Sequence, residues 1–243
     1  AWKYVGDEIV PDIIEHRRPD ETIRVWSAGC SSGEEAYTLA ILFAEAFGTD
    51  DLRDRVKIYA TDIDEEALMR ARHALYSEDD LKAVPKDYVE KYFERAGNRY
   101  MLKNTLRRSV IFGRNDLVRD SPISRMNLIV CRNTLMYLNG ETQSRVLGRL
   151  HFALRPNGYL FLGKAETMLS RTNLFRPVNL KFRIFARAGQ PSVGEQVEAL
   201  FSATDDDDRP QRRDNARLLR DSAFDAAPTA QFVLDSNLTL VTA

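Results

Sequence analysis

The strongest constraint on the fold is an alternation of buried-strand patterns with amphipathic helix patterns that begins at residue 23. Ile23–Ala28 predicts a buried strand, and a loop of small residues, Gly29–Gly33, follows it. Apolar residues then recur over 36–47 at the i, i+3, i+4 spacing of one helix face. A second strand at 57–61 leads into a helix at 65–73. Strand, glycine loop, helix, strand and helix is the order of a βαβ unit, so we predict a parallel sheet.

The alternation is interrupted once and then resumes. Residues 77–108 are polar, with short helix-like and strand-like runs around a turn at Gly97-Asn98, and we predict a small inserted β-subdomain there. The later predicted elements are strands at 109–112, 126–130 and 159–162, a helix at 141–154, and an antiparallel edge hairpin of 175–178 and 182–185. The expected fold is α/β, with a Rossmann-like, mostly parallel sheet and helices on both faces.

Composition limits the classes of protein to which the chain can belong. The 243 residues are 44% hydrophobic and 29% charged, which is ordinary for one or two globular domains. The net charge of −1 argues against a general nucleic-acid binder, which should carry a strong basic excess. No apolar run reaches the roughly 20 residues that cross a bilayer. The two cysteines, Cys30 and Cys131, are too few for a disulfide framework or a four-thiolate metal site. No export signal opens the chain, so we expect a cytoplasmic location without membrane insertion.

The pattern changes after residue 187. Residues 188–216 contain glycine, proline and the run Asp205–Asp208, and we interpret them as a solvated linker, because calcium ligands need alternate spacing and a turn glycine. Residues 217–243 start a new pattern of strand, turn and strand. The predicted organisation is a connecting helix at 1–20, a main domain at 21–187, the linker, and the start of a further domain.

Polar residues of defined type follow four predicted strands where each strand ends. They are Gly29 and Gly33, then Asp62, then Asn115-Asp116-Leu117, and finally Cys131-Arg132-Asn133 with Tyr137. In an open parallel sheet the ligand binds at the carboxyl ends of the strands, so these residues define the candidate site. Gly29 and Gly33 are spaced G-x-x-x-G, which differs from the G-x-G-x-x-G expected for NAD. The alternative is that Gly29 only makes the turn.

Two acidic positions indicate the kind of ligand. Asp62, at the end of the second strand, can accept hydrogen bonds from both ribose hydroxyls; its alternative role as a helix N-cap can be filled by Asp64. Helix N-termini attract phosphate, but Glu34 and Glu35 occupy that turn and would repel it. S-adenosylmethionine fits better, since it carries an ammonium, a sulfonium, a ribose and an adenine but no phosphate. An alternative interpretation of Glu35 is that it is exposed and complements the helix dipole.

The remaining chemistry-bearing residues are few. Asp116 can accept from an adenine amino group or serve as an ordinary turn residue. The three histidines, His16, His73 and His151, lie in predicted helices away from the strand ends. The sequence contains no nucleophile elbow, metal-ligand cluster or P-loop. Methyl transfer to a carboxylate needs none of these, because glutamate is already ionised at neutral pH.

These motifs resemble those of the CheR-type chemotaxis receptor methyltransferases. The resemblance covers 1–187 and rests on 24–37 (RVWSAGCSSGEEAY), on Ala60–Asp64, and on Cys131-Arg132-Asn133 with Tyr137. It implies a class I methyltransferase fold and methyl transfer from S-adenosylmethionine to glutamate side chains on cytoplasmic helices of chemoreceptors. The products would be glutamate methyl esters and S-adenosylhomocysteine. A non-catalytic module that binds either adenosyl compound is the alternative; a nucleotide-dependent oxidoreductase is a third hypothesis, against which Glu34 argues.

The resemblance also implies roles for individual residues. The implied cofactor-binding residues are Ala28, Gly29, Glu34, Asp62, Asp116, Leu117, Arg132 and Asn133. Glu34 would face the methionine ammonium group and Asp62 the ribose. Tyr137 is the implied catalytic residue, placed near the transferred methyl group to orient the substrate carboxylate, with simple packing as its alternative. No metal is implied.

The chain departs from the family's pattern in three places. The family has an N-terminal helical domain ending in a Thr-x-Phe-Phe-Arg motif; this chain starts after that point, so we expect weak cofactor binding or inactivity. Asp116 stands where many relatives have asparagine. The turn at 96–99 lacks a Gly-x-Gly, so we do not expect docking of a receptor's C-terminal pentapeptide. Residues 217–243 resemble the opening of a PAS domain, as in hybrid CheB–CheR–PAS proteins.

Overall fold

The computed structural model describes residues 1–18, 21–163 and 174–189, together with the backbone of two short strands near the end of the chain. The chain divides into two units, Ala1–Ala203 and Thr204–Ala243. In the second unit, the strands Val233–Leu234 and Leu240–Thr242 pair antiparallel, which fits the predicted strand, turn and strand. Most of the predicted linker, and the rest of the PAS-like segment, lie outside the described residues.

Most helices and strands of the first unit lie close to predicted positions, whereas the helix Thr49–Arg55 was not predicted. The helices are α1 (Trp2–Tyr4), α2 (Val10–Glu15), α3 (Glu34–Phe47), α4 (Thr49–Arg55), α5 (Glu65–His73), α6 (Lys86–Tyr92), α7 (Asn104–Arg107) and α8 (Gly140–Ala153). The strands are β1 (Ile23–Ala28), β2 (Val56–Asp62), β3 (Leu75–Tyr76), β4 (Phe93–Ala96), β5 (Arg99–Leu102), β6 (Val110–Arg114), β7 (Met126–Cys131), β8 (Leu154–Leu162), β9 (Phe175–Asn179) and β10 (Ile184–Arg187). A π-helical turn, Val5–Ile9, joins α1 to α2, and a 3-10 turn, Leu135–Tyr137, follows β7. The predicted connecting helix is therefore shorter than 1–20 and ends at Glu15.

The main sheet has the predicted mixed architecture. Its strand order is β6-β2-β1-β7-β8-β10-β9. The first five strands run parallel to their neighbours, whereas β10 is antiparallel to both β8 and β9. The order reverses at β1, which has β2 on one side and β7 on the other. This reversal is the switch point at which an open α/β sheet forms its ligand crevice.

Both faces of the sheet are covered. On β1, Val25 packs into one apolar cluster with Leu39 of α3, while its neighbour Trp26 packs into a second cluster with Leu147 of α8. Successive strand residues point to opposite faces, so a strand buried on both sides reads as a continuous apolar run. This arrangement explains why β1 could be predicted from Ile23 to Ala28 without alternation.

The inserted subdomain begins earlier than the predicted residue 77. Ala74, at the end of α5, adopts a left-handed conformation with φ of 51° and turns the chain directly into β3. The subdomain is a three-stranded antiparallel sheet of order β3-β5-β4, and the β4–β5 hairpin turns at Gly97, whose φ is 65°. Tyr92 is fully buried and donates a hydrogen bond to Glu45 of α3, which ties the subdomain to the main domain.

Candidate active site

A cavity of about 640 Å³ lies at the carboxyl ends of the parallel strands, at the switch point. Its lining comes from the residues that follow β1, β2, β6 and β7, from the start of α3, and from Trp2 of α1. Its volume is within the range of small-molecule sites. The lining includes eight of the nine predicted site residues: Gly29, Glu34, Asp62, Asp116, Leu117, Arg132, Asn133 and Tyr137.

Ala28 is the predicted residue that the structure does not bring to the cavity. Its side chain is fully buried in the apolar cluster on the α8 side of the sheet. Its carbonyl oxygen accepts a hydrogen bond from Thr134 Oγ1 at 3.5 Å. Ala28 therefore supports the wall from behind, whereas the adjacent Gly29 forms the wall.

The spacing of the two loop glycines follows from close backbone approaches. Gly29 has φ of 76°, and a Cβ there would lie 2.2 Å from Thr134 Oγ1. Gly33 has φ of 91°, and a Cβ there would lie 2.9 Å from the Cβ of Ala71. Only glycine tolerates both the left-handed conformation and the contact. Gly29 thus makes the turn and also lines the cavity, so its two sequence interpretations are compatible.

Asp62 is held by backbone amides at the end of β2. Its Oδ2 accepts from the Ser31 amide at 2.7 Å, and its Oδ1 accepts from the Asp64 amide at 3.0 Å. Asp64 is the N-cap of α5 and accepts from the amides of Glu66 and Ala67. The alternative role of Asp62 as that cap is therefore wrong. Each carboxylate oxygen can accept a second hydrogen bond, which leaves Asp62 able to bind a diol.

Glu34 and Glu35 differ sharply in their surroundings. Glu34 is exposed at the start of α3, where its carboxylate accepts from the Ser32 hydroxyl at 2.8 and 3.0 Å. The Glu35 side chain is only 16% exposed, and its Oε2 lies 3.2 Å from Nη1 of Arg132. The interpretation of Glu35 as an exposed partner of the helix dipole is therefore wrong. The buried polar residue Ser27, which donates to Glu35 Oε1 at 3.3 Å, was the sequence signal for an inward carboxylate.

Arg132 is fixed from three sides. Glu35 pairs with Nη1, and the rings of Trp2 and Phe161 have their centroids 5.3 and 5.0 Å from the guanidinium carbon. Among the described residues of the lining, Arg132 is the one Lys, Arg or His side chain. The same lining contains four carboxylates: Glu34, Glu35, Asp62 and Asp116. The cavity therefore favours a ligand that is positively charged overall.

The loop after β6 offers a second acceptor, Asn115, which the strand-end pattern placed at the site but to which sequence analysis assigned no specific role. Asp116 Oδ1 already accepts from the amides of Val118 and Arg119 at 2.9 and 3.3 Å, as an ordinary turn residue does. Asn115 lines the cavity, and its Oδ1 is buried without a hydrogen-bond donor among the described residues. A buried acceptor of this kind suits an amino group of a ligand. Its position directly after β6 was the available sequence signal.

Tyr137 lies on the rim of the cavity. It ends the 3-10 turn after β7, and 82% of its surface is exposed. Packing does not account for a side chain with so little contact, so the packing alternative is wrong. Asn133, in the same loop, has φ of 58°, a left-handed conformation that asparagine tolerates better than most residues.

The described part of the cavity lining offers no activated nucleophile and no metal-binding cluster. No His is among the lining residues that the structure describes, and the described ranges contain no group of side chains that could hold a metal ion. Cys30 lines the cavity, but burial raises the pKa of its thiol from 9.0 to about 12. The thiol therefore stays protonated at neutral pH and is a poor nucleophile.

The donor set fits S-adenosylmethionine. The excess of carboxylates suits its ammonium and sulfonium, Asp62 suits its ribose, and the Asn115 oxygen suits the amino group of its adenine. Ile63, which follows Asp62, is 56% exposed and adds an apolar side chain to the cavity lining. A dinucleotide would place a pyrophosphate against these carboxylates, which is electrostatically unfavourable.

Within the part of the chain that the structure describes, no helix has both the length and the apolar composition to span a membrane.

Several known proteins are similar to this chain in sequence. An uncharacterized 104.1 kDa protein of Rhodobacter capsulatus is 34% identical over 220 residues, 89% of this chain and 23% of that protein. The putative methyltransferase Cher3 of Pseudomonas putida is 34% identical over 194 residues, 76% of this chain and 68% of that protein. Chemotaxis protein methyltransferase 2 of Vibrio cholerae is 34% identical over 173 residues, 70% of this chain and 59% of that protein. The chain thus spans less than two thirds of the first and third relatives.

The family comparison covers the same part of the chain as the main sheet and the cavity. Residues 1–184 match the family described as CheR methyltransferase, SAM binding domain. The chain therefore belongs to the CheR methyltransferase family, and residues 1–184 are its S-adenosylmethionine-binding domain.

Proposed function

We propose that the cavity at the switch point binds S-adenosylmethionine and that the protein transfers its methyl group to glutamate side chains on cytoplasmic helices of chemoreceptors. The observation that carries the proposal is the charge of the cavity: four carboxylates and one cation, with an exposed tyrosine at the rim. Membership of the CheR family, and relatives named chemotaxis protein methyltransferases, support this class of substrate.

In this proposal each part of the cofactor has a partner in the lining. Glu34 faces the methionine ammonium, Arg132 binds the methionine carboxylate, and Asp62 binds the ribose hydroxyls. The adenine lies between the apolar side chains of Ile63 and Leu117, with Asn115 as the acceptor for its amino group. Gly29, Asn133 and Asp116 complete the walls of the cavity. Each assignment is supported by a position in the lining and by matching charge or polarity.

The proposed methyl transfer does not require an acid or a base from the protein. When bound, S-adenosylmethionine supplies a methyl group on a positively charged sulfur. Glutamate is ionised at neutral pH, so the residues around the cavity need not remove a proton. Their task is to hold the acceptor carboxylate in line and to exclude water from two opposite charges that neutralise each other. The hydroxyl of Tyr137, exposed at the rim, is available to donate a hydrogen bond to that carboxylate.

Arg132 suits the cofactor better than the acceptor. Its guanidinium already pairs with Glu35, so its charge toward the cavity is partly neutralised. A strong ion pair with the acceptor glutamate would also stabilise that carboxylate before reaction and slow its attack. Tyr137, rather than Arg132, is therefore the residue we propose to orient the acceptor.

The proposal extends to the organisation of the whole protein. The match to the R. capsulatus protein covers 89% of the chain and therefore extends beyond residue 184. This extent shows only that the similarity continues past the domain into a longer relative. The resemblance to hybrid CheB–CheR–PAS proteins is the basis on which we propose a larger cytoplasmic signalling protein, with an N-terminal helical domain, a linker at 188–216 and a PAS-like domain starting at 217. The β4–β5 hairpin turns at Gly97-Asn98 without the Gly-x-Gly that the resemblance associates with docking of a receptor's C-terminal pentapeptide, so recognition of that tail is not part of the proposal.

Two measurements test the proposed function. Calorimetry should show binding of S-adenosylmethionine and S-adenosylhomocysteine but not of NAD. Labelled cofactor, added to the protein with its N-terminal helical domain, should give base-labile methyl groups on chemoreceptor fragments, and Glu→Gln changes in the fragments should remove them. Binding of NAD would contradict the cofactor site. Binding of the adenosyl compounds without transfer would favour the non-catalytic module.

A further inference from the structure

We infer that Trp2 is a positioning residue for the cofactor: its ring holds Arg132 in the orientation that binds the methionine carboxylate. This inference rests on the proposed function, because it assumes that Arg132 meets that carboxylate. It adds a role for the first helix, which contributes to the cavity wall through Trp2 alone among the described lining residues.

The contacts of Trp2 form a closed arrangement around the cation. The Trp2 centroid lies 5.3 Å from the Arg132 guanidinium carbon and 5.1 Å from the Phe161 centroid. The two rings meet edge to face at an interplanar angle of 79°, and Phe161 lies 5.0 Å from the same guanidinium. Arg132 is therefore held at a corner of two aromatic rings, with Glu35 on a third side. Cation–π attraction favours this placement.

This arrangement leaves part of the guanidinium ready for a ligand. Nη1 is committed to Glu35, but Nε is buried and has no hydrogen-bond acceptor among the described residues. The side chain is 28% exposed and lines the cavity. Arginine offers a planar fork that can bind a carboxylate through two parallel hydrogen bonds, provided that its plane is fixed. A carboxylate in the cavity would therefore meet the exposed part of the guanidinium, on the side that Glu35 and the two rings leave open.

Without the rings, the arginine would lose this orientation. Its long side chain has several rotatable bonds, and Glu35 alone fixes one end of the guanidinium. Phe161 is almost fully buried on β8 and belongs to the core, whereas Trp2 is half-buried on the short helix α1. Trp2 is therefore the member of the pair that can be changed without opening the centre of the sheet.

The test uses two ligands that differ in the part Arg132 is expected to bind. S-adenosylhomocysteine has the amino-acid tail, whereas 5′-methylthioadenosine keeps the adenosine and the sulfur but lacks the tail. Calorimetry would measure both dissociation constants for the wild type and for Trp2→Leu, Trp2→Phe and Arg132→Gln. Tyr4→Leu is the matched control, because Tyr4 lies on the same helix and packs on the Phe182 ring at 5.5 Å, outside the cavity lining.

We expect Trp2→Leu to weaken S-adenosylhomocysteine binding about tenfold and to leave 5′-methylthioadenosine within about twofold. Trp2→Phe should keep most of the wild-type affinity for S-adenosylhomocysteine. Tyr4→Leu should leave the affinity for both ligands unchanged. In the Arg132→Gln background, Trp2→Leu should cause no further loss. Equal weakening of both ligands, or an equal effect of Tyr4→Leu, would show that Trp2 only anchors the helix and would overturn the inference. A wild type that binds neither ligand would contradict the proposed function itself.

Discussion

The two sides of the cavity are held by different means. On one side, backbone amides from two loops fix the Asp62 carboxylate. On the other side, Arg132 is fixed by the side chains of Glu35, Trp2 and Phe161, which come from three separate elements. A backbone-held group depends on local loop conformation, whereas a side-chain-held group depends on how the elements pack. The difference predicts that the two sides respond differently to substitution.

The largest expected effect is a loss of cofactor affinity on the side where backbone amides hold Asp62. Asp62→Ala removes the proposed ribose acceptor and leaves the amides of Ser31 and Asp64 without their partner. Hydrogen bonds to a charged group contribute about 1.5–3 kcal/mol each, so we expect S-adenosylmethionine affinity to fall at least about a hundredfold by calorimetry. Asp64→Ala is the control: it removes only the helix cap and should lower the free energy of unfolding by about 1 kcal/mol with nearly unchanged affinity. Unchanged affinity in Asp62→Ala would remove Asp62 from the site.

A substitution of Tyr137, at the rim between the two sides, should slow methyl transfer without changing cofactor binding. Tyr137→Phe removes one hydroxyl from a side chain that is 82% exposed, so neither stability nor cofactor affinity should change measurably. Loss of its proposed hydrogen bond to the acceptor should slow methyl transfer by about tenfold or more in the labelled-cofactor assay. A parallel loss of cofactor affinity and rate would instead indicate a role within the cofactor site.

On the side where side chains hold Arg132, a substitution should change the free energy of unfolding. Glu35→Ala leaves Arg132 partly buried between two rings without its carboxylate partner. We expect the free energy of unfolding to fall by about 1–3 kcal/mol, measured by denaturant titration. Glu34→Ala, at the exposed neighbouring position, should change it by less than about 0.5 kcal/mol. Equal effects at both positions would mean that the Arg132 pair contributes nothing beyond a surface charge.

The smallest effect concerns the adenine. Asn115→Ala removes the acceptor that has no donor within the described residues, and we expect cofactor affinity to fall about fivefold, as for one neutral hydrogen bond. The same variant should bind the inosine analogue, which lacks the amino group, as well as the wild type does. If Asn115→Ala weakens binding of the cofactor and of its inosine analogue alike, the Asn115 oxygen does not recognise the amino group.

Several parts of the fold and site could be predicted because their causes are local. Ile23–Ala28 coincides with β1, and the helix predicted at 141–154 differs from α8 by one residue at each end. Eight of the nine predicted site residues meet at the cavity, since parallel strands bring their carboxyl ends to one edge of the sheet. The start of the subdomain was predicted too late, because no propensity signals the left-handed conformation of Ala74.

By itself, the sequence determined the order of strands and helices, the glycine turns after β1 and the acidic character of the site. These features follow from hydrophobic periodicity and from residue types at strand ends, which act over a few neighbouring residues. Only the tertiary structure decided that Glu35 is half-buried and pairs with Arg132 while Glu34 lines the cavity as an exposed residue, and that Trp2 and Phe161 meet at Arg132. Neighbouring residues on a helix are about 100° apart, so the docking of α3 on the sheet selects which glutamate reaches the cation. That docking depends on contacts between residues far apart in the chain, which no local pattern specifies.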